Sequence, residues 1–391
     1  MDNKYISCIV PCHNCQDYIS KTVENLINQT IKPLEIILVN DASTDNTLDV
    51  LKQMEVKHPN IIKVIDLETN KGPSYARNFG VENSKGEYIF FLDSDDVAEP
   101  VLIEKYLSRL DELNNSGEDD YILCFSAYIQ IDENDEEISD IVRGIQVGPG
   151  EILGYQLTRN YISTSGVLIK KDYFLKTGGF NEEIRYSEDW DLWLRLAQYG
   201  GFAYVDEPLV KIRRHGSNLS SKIGKMLGAE RAVLKQYSID FIKNAIFKRK
   251  LSFQKNVVDF VSVLFRLDYW EEGFIELKSL LNEGYDFYNL YFYIGLYYLK
   301  HKNIAKALDY FIKTINIKEN HGAALNNIGA IYLYYGKNQL AEKYLKLAIE
   351  YFPAYMDASH NLSLLNKRSL SLEDLKFTWR ELREVLTRYT E

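Results

Sequence analysis

Three carboxylates within four positions, Asp93, Asp95 and Asp96, close the apolar run Tyr88-Ile89-Phe90-Phe91-Leu92. Such a run reads as a strand buried on both faces, as in a parallel sheet, and burial does not require acids at its end. Side chains two apart on a strand project to one side. Asp93 and Asp95 can therefore converge on one hard cation, which prefers oxygen ligands. Open α/β sheets bind ligands at the carboxyl ends of their strands, and a divalent ion there would hold a diphosphate. The same residues also fit a plain strand-to-helix turn, with an Asp capping a helix that begins near Pro100. The spacing alone leaves both readings open.

A second acidic strand end lies at Asp41-Ala42-Ser43-Thr44-Asp45-Asn46-Thr47. A carboxylate in this position can accept hydrogen bonds from a ribose or a base edge, while a neighbour such as Asp45 caps the helix that follows. Pro11 ends the first apolar run at the same edge and would shape a turn against the base. Further on, Gly72 permits a tight turn and Pro73 suits a first helical turn. That places Arg77 on a helix just upstream of the acidic strand end, able to reach a phosphate or brace Asp93; the alternative is a solvated helix face.

The elements that must position these groups follow from periodicity. Ile6 to Val10, Glu35 to Asn40, Ile61 to Asp66 and Tyr88 to Leu92 read as strands. Ile19 to Asn28, Thr47 to Val56, Tyr75 to Asn83 and Val101 to Leu113 read as helices. That alternation predicts a mostly parallel sheet with helices on its faces. Asp132 to Asp140 reads as an acidic, solvated loop. With 391 residues and 46% hydrophobic side chains, two or three domains with sizeable cores are expected. A net charge of −10 argues against a nucleic-acid surface. No secretory leader is visible at the start. The longest uncharged aromatic stretch, Phe287 to Leu299, is too short to span a membrane. A cytoplasmic protein is expected. Of the four cysteines, Cys12 and Cys15 have CxxC spacing, but no second pair follows to complete a zinc site. Free thiols are the expectation.

Seven of the eight prolines lie before position 209, and none falls between 209 and 352. Helix interiors exclude proline. There Tyr291-x2-Ile294-Gly295-x2-Tyr298 with Ala307 and Phe311 recurs 34 residues later as Leu325-x2-Ile328-Gly329-x2-Tyr332 with Ala341 and Leu345. This period and pattern resemble the tetratricopeptide repeat: small positions let two helices approach and large ones fill the gaps. Weaker units are read at 254–287 and 356–389. The expected organisation is an α/β domain over 1–225, a helical linker over 226–253 and helical repeats over 254–391.

Taken together, Ile9-Val10-Pro11-Cys12-His13-Asn14, Val39 through Asp45, Gly72 through Gly80 and Phe91 through Asp96 resemble the family-2 glycosyltransferases of the GT-A, Rossmann-like nucleotide-diphospho-sugar transferase fold. The blocks Gly178 through Glu182, Ser187 through Leu196 and Arg213 through Ser220 continue the match in the same order. Ala42 departs from the Gly usual there, and His13 from the common Tyr. The resemblance implies a metal-dependent, inverting transfer of a sugar from a nucleotide diphosphate, a UDP-sugar first. It places Pro11, Asn14, Asp41, Arg77, Asp93, Arg213 and His215 at the donor, and Asp93, Asp95 and His215 at Mn2+ or Mg2+. Asp189 becomes the base, kept ionised by the start of its helix, with Glu188 beside it as the rival. Trp190, Glu188 and Gly179 border the acceptor, Trp190 by stacking or else by packing in the core.

Three uses fit such a chain. In the first, the repeats help bind a protein or glycopeptide acceptor. In the second, the acceptor is a glycan or lipid-linked polysaccharide and the repeats make a homodimer. In the third, the domain is a non-catalytic nucleotide-sugar scaffold.

Overall fold

The computed structural model describes residues 5–117, 120–215, 223–367 and 369–382. The chain divides into two compact units, Met1–Lys250 and Leu251–Glu391.

In the first unit, β1 (Ile6–Cys12), α1 (Ile19–Ile27), β2 (Glu35–Asp41), α2 (Thr47–Lys57), β3 (Ile62–Leu67), α3 (Pro73–Glu82) and β4 (Tyr88–Phe91) alternate as the periodicity requires. They are followed by β5 (Val97–Ala98), α4 (Leu102–Ser116), β6 (Tyr121–Ile131), α5 (Pro149–Thr158), β7 (Val167–Lys170), α6 (Lys171–Lys176), α7 (Glu188–Leu196), β8 (Gly201–Arg213), α8 (Ile223–Leu234) and α9 (Ile239–Phe247). These strands form one sheet in the order β3-β2-β1-β4-β7-β6-β8-β5. Consecutive residues of β1 and β2 alternate between two cores: Cys8, Val10, Ile36 and Leu38 serve one, Ile9, Ile37 and Val39 the other. That double burial is why these strands are apolar throughout.

The sheet is mixed, not mostly parallel. β1 pairs in parallel with β2 and β4, whereas β7 lies antiparallel between β4 and β6. The cause is the point of entry. Gly166 N donates to Phe91 O (2.8 Å), so the chain arrives at the carboxyl end of β4 and must run back. This brings Ser165 to the acidic rim. Near the end of the unit, Lys250 N donates to Glu151 of α5 (2.7 Å).

In the second unit the regular elements among the described residues are all helices. It contains α10 (Phe253–Arg266), α11 (Trp270–Asn282), α12 (Tyr288–Lys300), α13 (Ile304–Ile317), α14 (Gly322–Tyr334), α15 (Asn338–Tyr351) and α16 (Met356–Ser363). Both ends of α12 and of α13 recur 34 residues later in α14 and α15, and α11, α13 and α15 start at the same interval. A Cβ added to Gly295 would lie 2.7 Å from Phe311, and one on Gly329 would lie 2.5 Å from Leu345. The pairs therefore close only with glycine there. In α10–α11 the small residue sits on the other helix: a Cβ on Gly273 would lie 2.6 Å from Phe265. Of the stretch read as 356–389, residues 368 and 383–389 lie outside the described residues, as do Gly216 through Ser220 of the last sequence block. No helix among the described residues is long and apolar enough to cross a membrane.

Candidate active site

β4 stops at Phe91, one residue before the apolar run ends, and Asp93–Asp96 form a turn in which Asp96 N donates to Asp93 O (3.2 Å). The turn, not strand alternation, places the acids. None of them caps the next helix: the cap of α4 is Val101, with no side-chain bond. The turn is held from behind. Thr22 of α1 donates to Ser94 O (3.0 Å) and Asp96 O (2.9 Å), and Asp93 N donates to Ser165 Oγ (3.1 Å). Asp96 is buried and accepts from Arg213 N (2.7 Å); burial and then the charges of Asp95 and Asp93 push its pKa well up. Asp95 lies 2.9 Å from His215 Nε2. Burial, followed by the charge of Asp93, raises its pKa, against the pull of His215. The His215 ring stacks on Tyr18 at 5.6 Å.

Arg77 on α3 faces both acidic clusters. Its Nη2 donates to Asp93 Oδ1 (2.6 Å), and its Nη1 lies 3.8 Å from Glu188 Oε1. The guanidinium lies over the Phe180 ring at 5.3 Å and is 5% exposed, with Nε and Nη1 lacking hydrogen-bond partners among the described residues. Burial opposes its charge, yet Asp93 and then Glu188 raise its pKa. α7 opens after Ser187, whose left-handed φ of 61° turns the chain so that Glu188 and Asp189 sit side by side at the helix start. Burial and then the Asp189 charge push the Glu188 pKa up to about 7, in spite of Arg77. Asp189 accepts from Trp190 N (2.7 Å) and Asn160 Nδ2 (2.9 Å). Its pKa is raised, not lowered: burial outweighs those bonds, which corrects the expectation drawn from the helix start.

At the other rim, Asp41 is buried and accepts from Lys71 N (2.7 Å) and Gly72 N (2.8 Å), so it fixes the loop before α3. Pro11 lies inside β1 opposite Val39 and does not end the strand. Asn14, in the left-handed region at φ 51°, accepts from Thr44 N (2.8 Å) and ties the loops after β1 and β2 together. Asp45 accepts from Thr47 N (3.0 Å) at the start of α2. His13 Nδ1 lies 2.9 Å from Asp41 O.

Two other expectations are corrected. Trp190 is 1% exposed and its indole N–H donates to Gln156 O (2.7 Å), so it packs in the core and presents no face to an acceptor. Arg213 is also buried. Its Nε, Nη1 and Nη2 donate to Asp95 O (2.9 Å), Asp132 O (2.7 Å) and Asp135 Oδ1 (2.6 Å), which makes it a brace behind the turn instead of a phosphate ligand. The Asp132 loop is thereby clasped, not merely solvated. Gly179 has a φ of 68°, and a Cβ there would lie 2.6 Å from Asn78 Oδ1. Gly178 and Gly179 line a cavity of about 670 Å³ with Asn78, Asp191 and Arg195. A larger cavity of about 920 Å³, lined by Arg109, Arg143 and Tyr204, contains none of the expected site residues.

Asn160 escaped sequence reasoning, because nothing in its neighbourhood marks it. Asp191 and Arg195 also did, although their i, i+4 spacing on α7 was a usable signal. Asp191 Oδ2 accepts from Arg195 Nη2 (2.7 Å), which in turn donates to Gly179 O (2.8 Å) and so holds the glycine turn against the helix.

The donor set suits a cation only in part. Hard carboxylate oxygens and one imidazole are present, and the burial and Asp93 charge that raise the Asp95 pKa are what a positive ion would offset. Among the described residues, no three His, Cys, Asp or Glu groups lie close enough to hold an ion by themselves. Mg2+ sites commonly use one or two carboxylates and leave the remaining positions to water and substrate phosphates.

Residues 7–158 match the family model described as Glycosyl transferase family 2. An uncharacterised glycosyltransferase of Haemophilus influenzae is 29% identical over 80% of this chain and 98% of its own length. A second, from Rickettsia felis, is 30% identical over 56% of this chain, which spans about a third (35%) of that relative. Chondroitin synthase of Pasteurella multocida is 29% identical over 64% of this chain and 26% of its own length. Among solved structures, S. aureus TarS residues 1–349 in complex with UDP-GlcNAc superposes with a TM-score of 0.50 at 17% identity, covering 89% of this chain and 91% of that one; the likeness is one of fold. Residues 7–158 thus carry a glycosyltransferase family 2 domain, the mixed sheet with its acidic rim has a GT-A-like fold, and the chain is a glycosyltransferase.

Proposed function

We propose that the chain moves a sugar from a UDP-sugar to an acceptor by a single inverting displacement that depends on a divalent cation. The observation that carries this reading is the position of Arg77, whose one guanidinium is bonded to Asp93 and faces Glu188 beside Asp189. The acids suited to the diphosphate and the acids suited to the acceptor proton thus lie within the span of one side chain.

Asp95 and His215, with Asp93, would hold Mn2+ or Mg2+, whose charge neutralises the departing diphosphate. Asp189 takes the acceptor proton; Asn160 and Trp190 N orient it, and the pKa raised by burial makes it a stronger base than an exposed carboxylate. Arg77 keeps Asp93 aligned. Asp41 holds the loop that leads into α3, and the backbone near it borders the base. The donor complex of the TarS fold relative supports UDP as the first nucleotide to test.

The helical repeats support a protein or glycopeptide acceptor, because stacked helix pairs present extended inner faces. A glycan acceptor is the second reading, favoured by the similarity to chondroitin synthase. The test is a thermal-shift and hydrolysis screen of nucleotide sugars with and without Mn2+. UDP-sugars are expected to raise the melting temperature only with the metal, since a bound ligand stabilises by mass action. Equal stabilisation and hydrolysis in excess chelator would exclude the metal-dependent reading.

A further inference from the structure

After α16 the helix pairing stops. Where the 34-residue interval would start another second helix, the chain instead runs without helix along the first helices of earlier pairs. Two asparagines read its backbone. Asn361 Oδ1 accepts from Lys376 N (2.9 Å) and its Nδ2 donates to Lys376 O (2.8 Å). Asn327 does the same to Thr378, accepting from its N (2.8 Å) and donating to its O (3.0 Å). Each side-chain amide thus imitates one residue of a β-ladder partner. Two side chains of the segment are also read. The Thr378 hydroxyl accepts from Asn326 Nδ2 (3.0 Å), donates to Asp357 Oδ2 (2.8 Å) and meets the Tyr355 hydroxyl. The Glu381 carboxylate accepts from Asn289 Nδ2 (2.9 Å) and lies 3.0 Å from His321 Nε2.

Asn326, Asn327 and Asn361 are fully buried. Buried amides cost stability unless bonded. Asn361 Nδ2 also donates to Asn326 Oδ1 (2.9 Å) within the helices, whereas both side-chain bonds described for Asn327 go to the segment. An apolar lid would cover the inner face without them. Their presence marks a surface built to pair with a passing polypeptide backbone, the main-chain mode of peptide recognition.

We propose that this inner face is a binding site for extended peptides carrying Thr or Ser with Asp or Glu three residues later, and that Lys376–Glu381 is its internal occupant, displaced in competition by such a peptide. The inference does not depend on the donor chemistry: peptide binding and sugar transfer are read out separately, and either can fail alone.

The tethered segment competes at a high effective concentration, so the test weakens it. A fluorescent peptide with the sequence of residues 374–382 is titrated into the full chain and into the full chain carrying Thr378→Val and Glu381→Gln. At least tenfold tighter binding to the altered chain is expected, and its loss on adding Asn361→Ala. An altered chain that melts as cooperatively as the original but binds no better would overturn the proposal. Should the altered chain not fold, hydrogen exchange on the original decides. Amides of Lys376 and Thr378 that exchange faster than those of α14, and are slowed by added peptide, support a displaceable segment. Amides as slow as those of α14 overturn it.

Discussion

The acidic rim of the first unit and the core of the helical unit both bury polar and titratable groups, but for different ends. At the rim, burial raises the pKa values of Asp95, Glu188 and Asp189, and for Asp95 and Glu188 the charge of a neighbouring carboxylate, Asp93 and Asp189 respectively, adds to it. In the helical unit the buried phenols of Tyr293 and Tyr355 are pushed up chiefly by burial in a packed interior, while the surface carboxyl of Asp374 is held down by Lys367. Crowded acids destabilise a fold and are useful only when something charged arrives; a buried phenol is packing. The contrast separates the place where chemistry is done from the place where shape is made.

The largest test of that contrast is Asp189→Asn, which removes the base and leaves its bonding shape. Sugar transfer should fall by ~10³-fold, while nucleotide affinity by calorimetry stays within a factor of two or so. Unchanged turnover would break the assignment of chemistry to this helix start. Asp95→Asn should lower transfer by about 10²-fold and abolish the metal-dependent part of the thermal shift; a persistent metal response would move the cation elsewhere. On the packing side, Gly329→Leu forces a side chain into Leu345. It should cost about 2 kcal/mol, read as a lower denaturation midpoint of the helical unit with donor hydrolysis unaltered.

The smallest effect sharpens the account of the rim. A base must be deprotonated, and burial raises the Asp189 pKa above the usual carboxylate value, so transfer should rise with pH through that raised pKa and fall on acidification. Glu188→Gln removes a neighbouring negative charge, lowers the Asp189 pKa and should shift the acid limb of the kcat/KM profile by about one pH unit or less. A collapse of transfer in Glu188→Gln, like that expected for Asp189→Asn, would make Glu188 the base.

Much of the first unit was legible because its code is local. The four strands β1 to β4 are apolar runs of the length a sheet buried on two sides demands, and all were found within two residues of their ends. The departure at Ala42 makes structural sense: its φ is 50°, the left-handed region where glycine is at ease. The antiparallel course of β7 was not legible, since it follows from where the chain enters the sheet and not from its own residues. Trp190 shows the same limit. A tryptophan beside a candidate base looks like a stacking surface until the position of Gln156, 34 residues away, sends its N–H inward.

Repetition was the other legible signal. The recurrence of Gly295 and Phe311 as Gly329 and Leu345 reports a contact directly, because each pair must touch for the helices to close. The sequence by itself therefore determined the periodic facts: which runs are buried, where the acids fall relative to them, and how often a helix pair returns. The tertiary structure alone decided which partner satisfies each buried polar group: Arg213 on the Asp95 and Asp132 carbonyls, Arg77 between two acidic clusters, Asn327 and Asn361 on an extended strand. The reason is that periodicity is carried by neighbours along the chain, whereas a hydrogen bond in the interior is settled by whichever group the fold brings within about 3 Å, at a separation no local pattern records.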